Sequence, residues 1–380
     1  QRVMTITGET ITNSTVISGL MFTGGNPVTG AVGGGILVSA SSPTLHSNHV
    51  ISNTSGAEGG GLYIVDSPGI VLTRTMISNN RAADGKAGGG LYISDSPSAI
   101  LVSNIISGNT GHRGGGLWID HSSGTMLTTN TIVGNKAQTG WGEKFGGGVY
   151  ALSSDDLTFV GNTVKGNTAS NLGGGLYIQA CDNLDLSRNW ISQNGGGNCE
   201  GLYCQTCEDA NLTNNFVGES QITDRNTICL SFSSARLLHT TIVGNQASDG
   251  SGVHITGAAS AVALTNTIVA GHSVGISVTA GSTAIVDGVL WWDNDENTRG
   301  DGQITVTHAY TGNPRFVDPD AGNYHIGPGS AAIDRGVLSD VDTDIDGHSR
   351  LGFSGLPDLG ADEFRCFLYL PLVAKNMPHR

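Results

Sequence analysis

The chain has little charge, few aromatic rings and little proline. Charged residues fill 13 % of its 380 positions, aromatic residues 6 %, and Pro occurs 10 times. The 18 Lys and Arg are outnumbered by 32 Asp and Glu, giving a net charge of −14. A nucleic-acid partner demands clustered cations that displace counterions, and a chain this acidic argues against one. No apolar run reaches the ~18 residues of a membrane-spanning helix. The sequence opens at Gln1 without a charged-then-apolar leader, so any export signal is expected to have been removed already.

What is abundant is glycine, at 58 positions, together with Asn, Ser and Thr. No G-X-Y period runs through it, so the glycine is turn material and not collagen. It is concentrated in one phrase. GGGLYI stands at 88–93 and again at 173–178, with close variants at 33, 59, 114 and 146. Aligning the third Gly gives Gly35, Gly61, Gly90, Gly116, Gly148, Gly175 and Gly201, continued by Cys229, Gly252 and Gly275. A second marker, Asn-x4-Asn, runs in phase at Asn48/Asn53, Asn104/Asn109, Asn130/Asn135, Asn162/Asn167 and Asn189/Asn194, with half-matches at Arg74/Asn79 and Thr240/Asn245.

A fixed period of this length marks a solenoid. The segments between markers, such as AILVSN and NTIVGN, are short and β-branched, which favours strands over helices. Strands separated by single corners trace a triangle and pair with the same strand one repeat later. The fold expected is all-β: a right-handed parallel β-helix of about ten turns, roughly 45 to 50 Å long. The repeats are expected over 1–300, a small irregular cap over 301–364 and an apolar strand-prone tail over 365–380. Gly and Asn suit the corners because both tolerate positive φ.

Within GGGLYI, period-2 alternation turns the first and third apolar residues inward and the residue between them outward. That outward position reads Tyr63, Tyr92, Trp118, Tyr150, Tyr177, Tyr203, then Ser231, His254 and Ser277. Six aromatic rings on consecutive turns predict a ladder about 25 Å long. It serves either as a self-stabilising stack of cross-strand pairs or as a platform for sugar rings or a partner.

The phrases ISGNTGHRGGGLWI and IVGN…GGGVY resemble the repeats of secreted bacterial β-helix proteins and of the polymorphic outer-membrane protein family. The segment NPRFVDPDAGNYHIGPGSAAIDRG (313–336), with DIDG (344–347) and DLGADEF (358–364), resembles the C-terminal region of choice-of-anchor β-helix surface proteins. The resemblance implies export and display at a bacterial cell surface, without a stated reaction. The final FLYLPLVAKN (367–376) resembles an apolar tail of exported proteins from filamentous phototrophic bacteria.

Parallel β-helices that cleave polysaccharides carry further signatures. Of the four motifs of the pectin-hydrolase family only an Asp-Asp, Asp155-Asp156, is present. Trp118-Ile119-Asp120-His121 matches a phrase of the pectate lyase family, but neighbouring turns carry Tyr-Ile-Ser-Asp at the same level, and no Arg-x-Pro-x-x-Arg supplies a base. The catalytic alternative rests on two long loops, 80–87 and 136–145. Stacked beside the ladder, they would gather Asp84, Lys86, His112, Arg113, Trp141, Glu143 and Lys144, a carboxylate-and-base set of the kind a lyase or hydrolase uses.

Five of the six cysteines fall within 181–229. LYIQAC and LYCQTC put Cys181 and Cys207 at one level, and adjacent parallel strands are close enough for a disulfide between them; Cys366 would pair with another cysteine of the body. The DVDTDIDG run offers Asp342, Asp344 and Asp346 to a calcium ion, although Phe353 replaces the closing Glu; the other reading is a hydrogen-bonded acidic cap. No other cofactor is required. These features predict a secreted or cell-surface structural or adhesive protein that assembles with itself through its ends and tail, or binds a surface glycan. A polysaccharide lyase or glycoside hydrolase of the pectate-lyase-like superfamily is the alternative.

Overall fold

The computed structural model describes residues 1–219, 225–244, 250–351 and 354–365; the tail from Cys366 onward and Phe353 lie outside them. Among the described residues, strands form everything regular except a single turn of 3-10 helix, Pro319–Ala321.

The chain is a parallel β-helix. Its first face is a 12-stranded sheet running from Met4–Thr7 through Ile36–Ser39, Leu62–Val65, Leu91–Ser94 and onward to Glu296–Arg299. The ten sequence markers therefore miss a rung at each end. The second and third faces form one 21-stranded sheet, in which Ile100–Val102 pairs with Met126–Thr128 and Ile105–Ser107 pairs with Thr131–Val133. A short fourth ladder joins Thr110–Gly111, Lys136–Ala137, Thr168–Leu172 and Gly195–Asn198. The last strand of the coil, Gln303–Thr311, pairs with Thr283–Trp292, so the coil passes the expected boundary at residue 300.

One turn shows why this sequence coils. Leu91, Ile93, Leu101 and Ile106 point inward and are fully buried, and each such side chain stabilises the fold by roughly 1.5–3 kcal/mol relative to exposure. At the corner after Ile105–Ser107 stands Asn109. Its Nδ2 donates to Ile77 O (2.8 Å) and to Asn135 Oδ1 (2.9 Å), while Asn135 Oδ1 also accepts the Asn109 backbone N–H (3.0 Å). The same pattern runs through Asn53, Asn80, Asn135, Asn167 and Asn194, and on the other corner through Asn104, Asn130, Asn162, Asn189 and Asn215. These side chains satisfy backbone groups that the corner would otherwise bury unpaired.

The corner residue with positive φ is the one before each ladder Asn, for example Thr129 (φ 52) and Gln193 (φ 52). This corrects the half-match at Arg74/Asn79: both residues are left-handed, with φ 49 and 53, and the ladder positions are Thr75 and Asn80. In the triple Gly the reasons differ by position. Gly88 has φ 65, a Cβ on Gly89 would sit 2.4 Å from Gly115 O, and one on Gly90 would sit 2.7 Å from Asn109 Nδ2.

The described residues beyond Thr311 do not lie across the end of the rod. They fold back along its flank, where Ile326, Ala332 and Leu359 pack on Ile268, Ala270 and Leu290. Arg350, almost wholly buried, fixes the attachment: its Nη2 donates to Asn214 Oδ1 (2.7 Å), Ala361 O (2.7 Å) and Gly360 O (3.0 Å). Asn214 Nδ2 returns a bond to Thr343 O (2.6 Å), and Ala361 N donates to Thr241 Oγ1 (2.9 Å). The terminal strand Gln303–Thr311 is left mostly exposed.

Candidate functional site

The aromatic ladder stands at the outward position of the first face, but its centre is covered. Tyr63 stacks on Tyr92 at 4.9 Å between ring centroids, Tyr92 on Trp118 at 6.0 Å and Tyr177 on Tyr203 at 5.1 Å. Tyr150 meets Trp118 and Tyr177 edge-on, at 4.3 and 4.9 Å. Phe145, at the end of the 136–145 loop, stacks on Tyr177 at 4.7 Å and buries Trp118, Tyr150 and Tyr177. Burial holds the Tyr150 hydroxyl up at about 12, so it remains a donor, to Gln179 Oε1 at 2.5 Å. A continuous sugar platform is therefore not what the six rings form; Tyr63, Tyr92 and Tyr203 are half-buried and the middle three are inaccessible. Beyond Tyr203 the next rung is Cys229, with His254 and Ser277 following, so the sequence alignment slipped by two residues when it placed Ser231 there.

The two long loops do meet: a Cβ on Gly140 would lie 2.4 Å from Gly85 N. Their charges do not converge. Arg81 holds Asp84 (2.5 Å), Lys86 reaches back to Glu58 (3.0 Å), and Lys144 Nζ donates to Gly142 O (2.7 Å). His112 is buried with Nδ1 on Thr139 O. Arg113 lies over the Phe145 ring at 5.3 Å, with its Nε toward Glu143 O (3.5 Å). Trp141 is 98 % exposed. The set is a self-supporting lid on the ladder, without the paired carboxylate and base that the catalytic alternative needs. Asp120 and His121 pair with each other at the strand end (2.8 Å), on a Trp118 that is one more rung.

The disulfide also differs from expectation. Cys199 and Cys229 are bonded, whereas Cys181, Cys204 and Cys207 are free and buried in the core. Cys181 and Cys207 do share a level, but each thiol points to backbone carbonyls, of Gln179 (3.2 Å) and of Gln205 (3.5 Å). Burial pushes the Cys181 thiol up to about 12, which keeps it protonated and inert. The two-residue slip hid the true pair, because it moved Cys229 off the outward position that faces the Cys199 loop.

In the flank region the D-x-D-x-D run does not assemble as a calcium loop. Asp342 is exposed and stands apart. Asp344 is fully buried, and its carboxylate accepts the N–H groups of Asp346 (3.0 Å), His348 (2.8 Å) and Glu363 (3.3 Å). That is the hydrogen-bonded acidic arrangement. Two groups of potential ligands nevertheless converge to within 4.8 Å, His325/Asp346/Asp362 and Asp344/Asp346/His348. The sequence reading missed both histidines, since His325 lies in a separate hairpin, Phe316–Asp318 with Asn323–Ile326.

Fold, ladder and corner chemistry define a parallel β-helix repeat protein. The profile of the family described as "Periplasmic copper-binding protein (NosD)" matches residues 4–235 and 148–312, and the chain belongs to that family. No curated protein matches the chain. Among solved structures, the A-module of the Azotobacter vinelandii mannuronan C-5 epimerase AlgE6 is similar with TM-score 0.44 and 12 % identity, over 82 % of this chain and 88 % of that one. Pectate lyase Pel9A is similar with TM-score 0.40 and 11 % identity, over 94 % and 89 %. The Streptococcus pneumoniae surface protein and adhesin PfbA is similar with TM-score 0.21 and 10 % identity, over 77 % and 91 %. Likenesses this distant carry nothing about function.

Proposed function

We propose that this chain is an exported structural element of the cell envelope, a rigid β-helix that associates end to end with further copies of itself. The observation that carries the reading is the contrast between its side and its ends. Along the side, loop charges are used within the scaffold and the aromatic centre is lidded. At the ends, strand edges are open: Met4–Thr7 is singly paired, with Val16, Leu20 and Met21 exposed on the same turn, and Gln303–Thr311 is mostly exposed at the other end. Open edges of this kind template further strands, and a head-to-tail contact that does not close makes a filament.

The buried Cys199–Cys229 disulfide supports an oxidising location outside the cytoplasm, in keeping with the family's periplasmic description. Copper, which that description also names, does not fit the matched stretch. Among the described residues, no three His, Cys, Asp or Glu ligands converge within residues 4–312, and the soft thiols suited to Cu(I) are sealed in the core.

Light scattering on a concentration series tests the reading, comparing the parent chain with Met21→Lys, a charge placed at the exposed edge. Mass should rise with concentration for the parent and stay at one chain for the variant. A parent that stays monomeric while cleaving a polysaccharide from an acidic and neutral panel would replace the reading with the catalytic one.

A further inference from the structure

The flank region brings His325, from strand Asn323–Ile326, against Asp346 and Asp362, which come from two other segments of the chain. The hydrogen-bonding role of His325 Nδ1 is fixed by its neighbour. Asn323 Oδ1 lies 3.2 Å from the His325 backbone N and 2.7 Å from its Nδ1. A backbone N–H can only donate, so this Asn323 atom accepts, and Nδ1 must carry the proton. With that proton alone, the ring turns the lone pair of Nε2 toward Asp346 Oδ2, 2.8 Å away. Two lone pairs at that distance repel unless a cation or a second proton lies at the gap.

Several features favour a metal there. Nitrogen and oxygen ligands at ~2.0–2.2 Å span about 2.9 Å at the ~90° angle of a tetragonal copper(II) site, close to the observed separation, and about 3.4 Å at the tetrahedral angle of zinc, which a small side-chain rotation would reach. Asp362 is held for the role by Ile326 N, which donates to its Oδ2 at 2.7 Å. The Asp346 backbone is held by Asp344 Oδ1 at 3.0 Å. An imidazole with its other nitrogen tied to an acceptor, and carboxylates aimed by backbone N–H groups, form the outer shell that orients metal ligands. Asp346 is 44 % exposed at its side chain, which opens the position to entering ions and to water ligands.

We propose that His325 Nε2, Asp346 and Asp362 bind one divalent transition-metal ion of the zinc or copper(II) class, which fastens three segments of the flank region together on the rod. One imidazole nitrogen with carboxylate oxygens suits such borderline ions. Calcium takes six to eight oxygens, and Cu(I) prefers sulfur. The site lies beyond residue 312, where the family match ends. It is independent of the end-to-end association proposed above.

Titration calorimetry on the metal-stripped full chain with ZnCl2, CuCl2 and CaCl2 tests it, alongside His325→Gln, Asp346→Asn and, as control, Asp340→Asn, whose carboxylate pairs with Arg236 outside the cluster. The expected result is one zinc or copper(II) ion per chain, weakened at least tenfold by His325→Gln and by Asp346→Asn and unchanged by Asp340→Asn. The copper(II) complex should show hyperfine coupling from a single imidazole nitrogen by electron paramagnetic resonance. Circular dichroism checks that both variants keep the β signal, and their partly exposed side chains make this the expected outcome. No stoichiometric binding, or binding that both variants retain, would reduce the contact to a plain His–Asp ion pair and overturn the proposal. Calcium binding that is indifferent to His325→Gln would overturn it equally.

Discussion

Replacing Asn135 with Ala tests whether the corner ladders hold the coil. Asn135 is fully buried and takes part in four side-chain bonds. It donates from Nδ2 to Ile106 O and Asn167 Oδ1, both at 2.9 Å, and accepts the Asn109 N–H (3.0 Å) and Nδ2 (2.9 Å). The alanine variant leaves the Asn109 backbone N–H without any partner, a loss of about 1–3 kcal/mol. Asn109 Nδ2 keeps its bond to Ile77 O (2.8 Å), and Asn167 keeps the Asn135 backbone N–H (2.9 Å), so the other losses are partial. The total is about 3–5 kcal/mol. At a few degrees per kcal/mol, reduced for a chain this long, the melting temperature should fall by roughly 5–10 °C. The assay is thermal unfolding followed by circular dichroism, with hydrogen exchange to locate the loosened turns, because a solenoid need not unfold in one step. Ser103→Ala, which removes an exposed Ser103–Thr129 hydroxyl contact, is the control and should shift little. A fall of less than about 2 °C for Asn135→Ala would refute the argument that side-chain ladders satisfy these corners.

Three further outcomes follow from the same structure. In native protein, Cys181, Cys204 and Cys207 should resist alkylation for hours and react only on unfolding, while peptide mapping without reductant should recover Cys199 joined to Cys229; a Cys181–Cys207 peptide would contradict the structure. Replacing Arg350 with Met removes the guanidinium that joins Asn214 to Ala361, so limited proteolysis should cut the flank region faster while the rod stays intact, and uniform resistance would contradict the attachment described. His272 is buried and its pKa is lowered from 6.5 to about 4 by desolvation. The unfolded chain therefore binds this proton first. The His272 contribution to stability should be flat above pH ~6.5 and fall by about 3 kcal/mol as pH drops to 4, so in denaturant titrations the stability difference between the parent and His272→Leu should change by that amount across this window.

Much of the coil was readable because its signals repeat. A Gly triplet and an Asn at each corner recur wherever one backbone geometry recurs, so the markers located most first-face strands between Ile36–Ser39 and Val274–Val278. The reading failed where the repeat lost its letters. At Thr227 the third Gly is replaced, the alignment slid to Cys229, and with it went both the last ladder rung and the disulfide. Loop chemistry was not readable, because whether Lys86 meets Asp84 or Glu58 depends on which turn each loop leans over. The flank attachment was not readable either, since it joins Arg350 to Asn214 across 136 positions with no local pattern to announce it. The His325 cluster was hidden for the same reason: its members share no spacing, only a place.

Electron microscopy of the purified chain at high concentration tests the central claim most directly. Twelve first-face rungs at ~4.8 Å give a unit of roughly 55 Å. The account predicts thin filaments with an axial repeat close to that length, lost in Met21→Lys. Isolated rods at every concentration, with the parent and the variant indistinguishable, would contradict it.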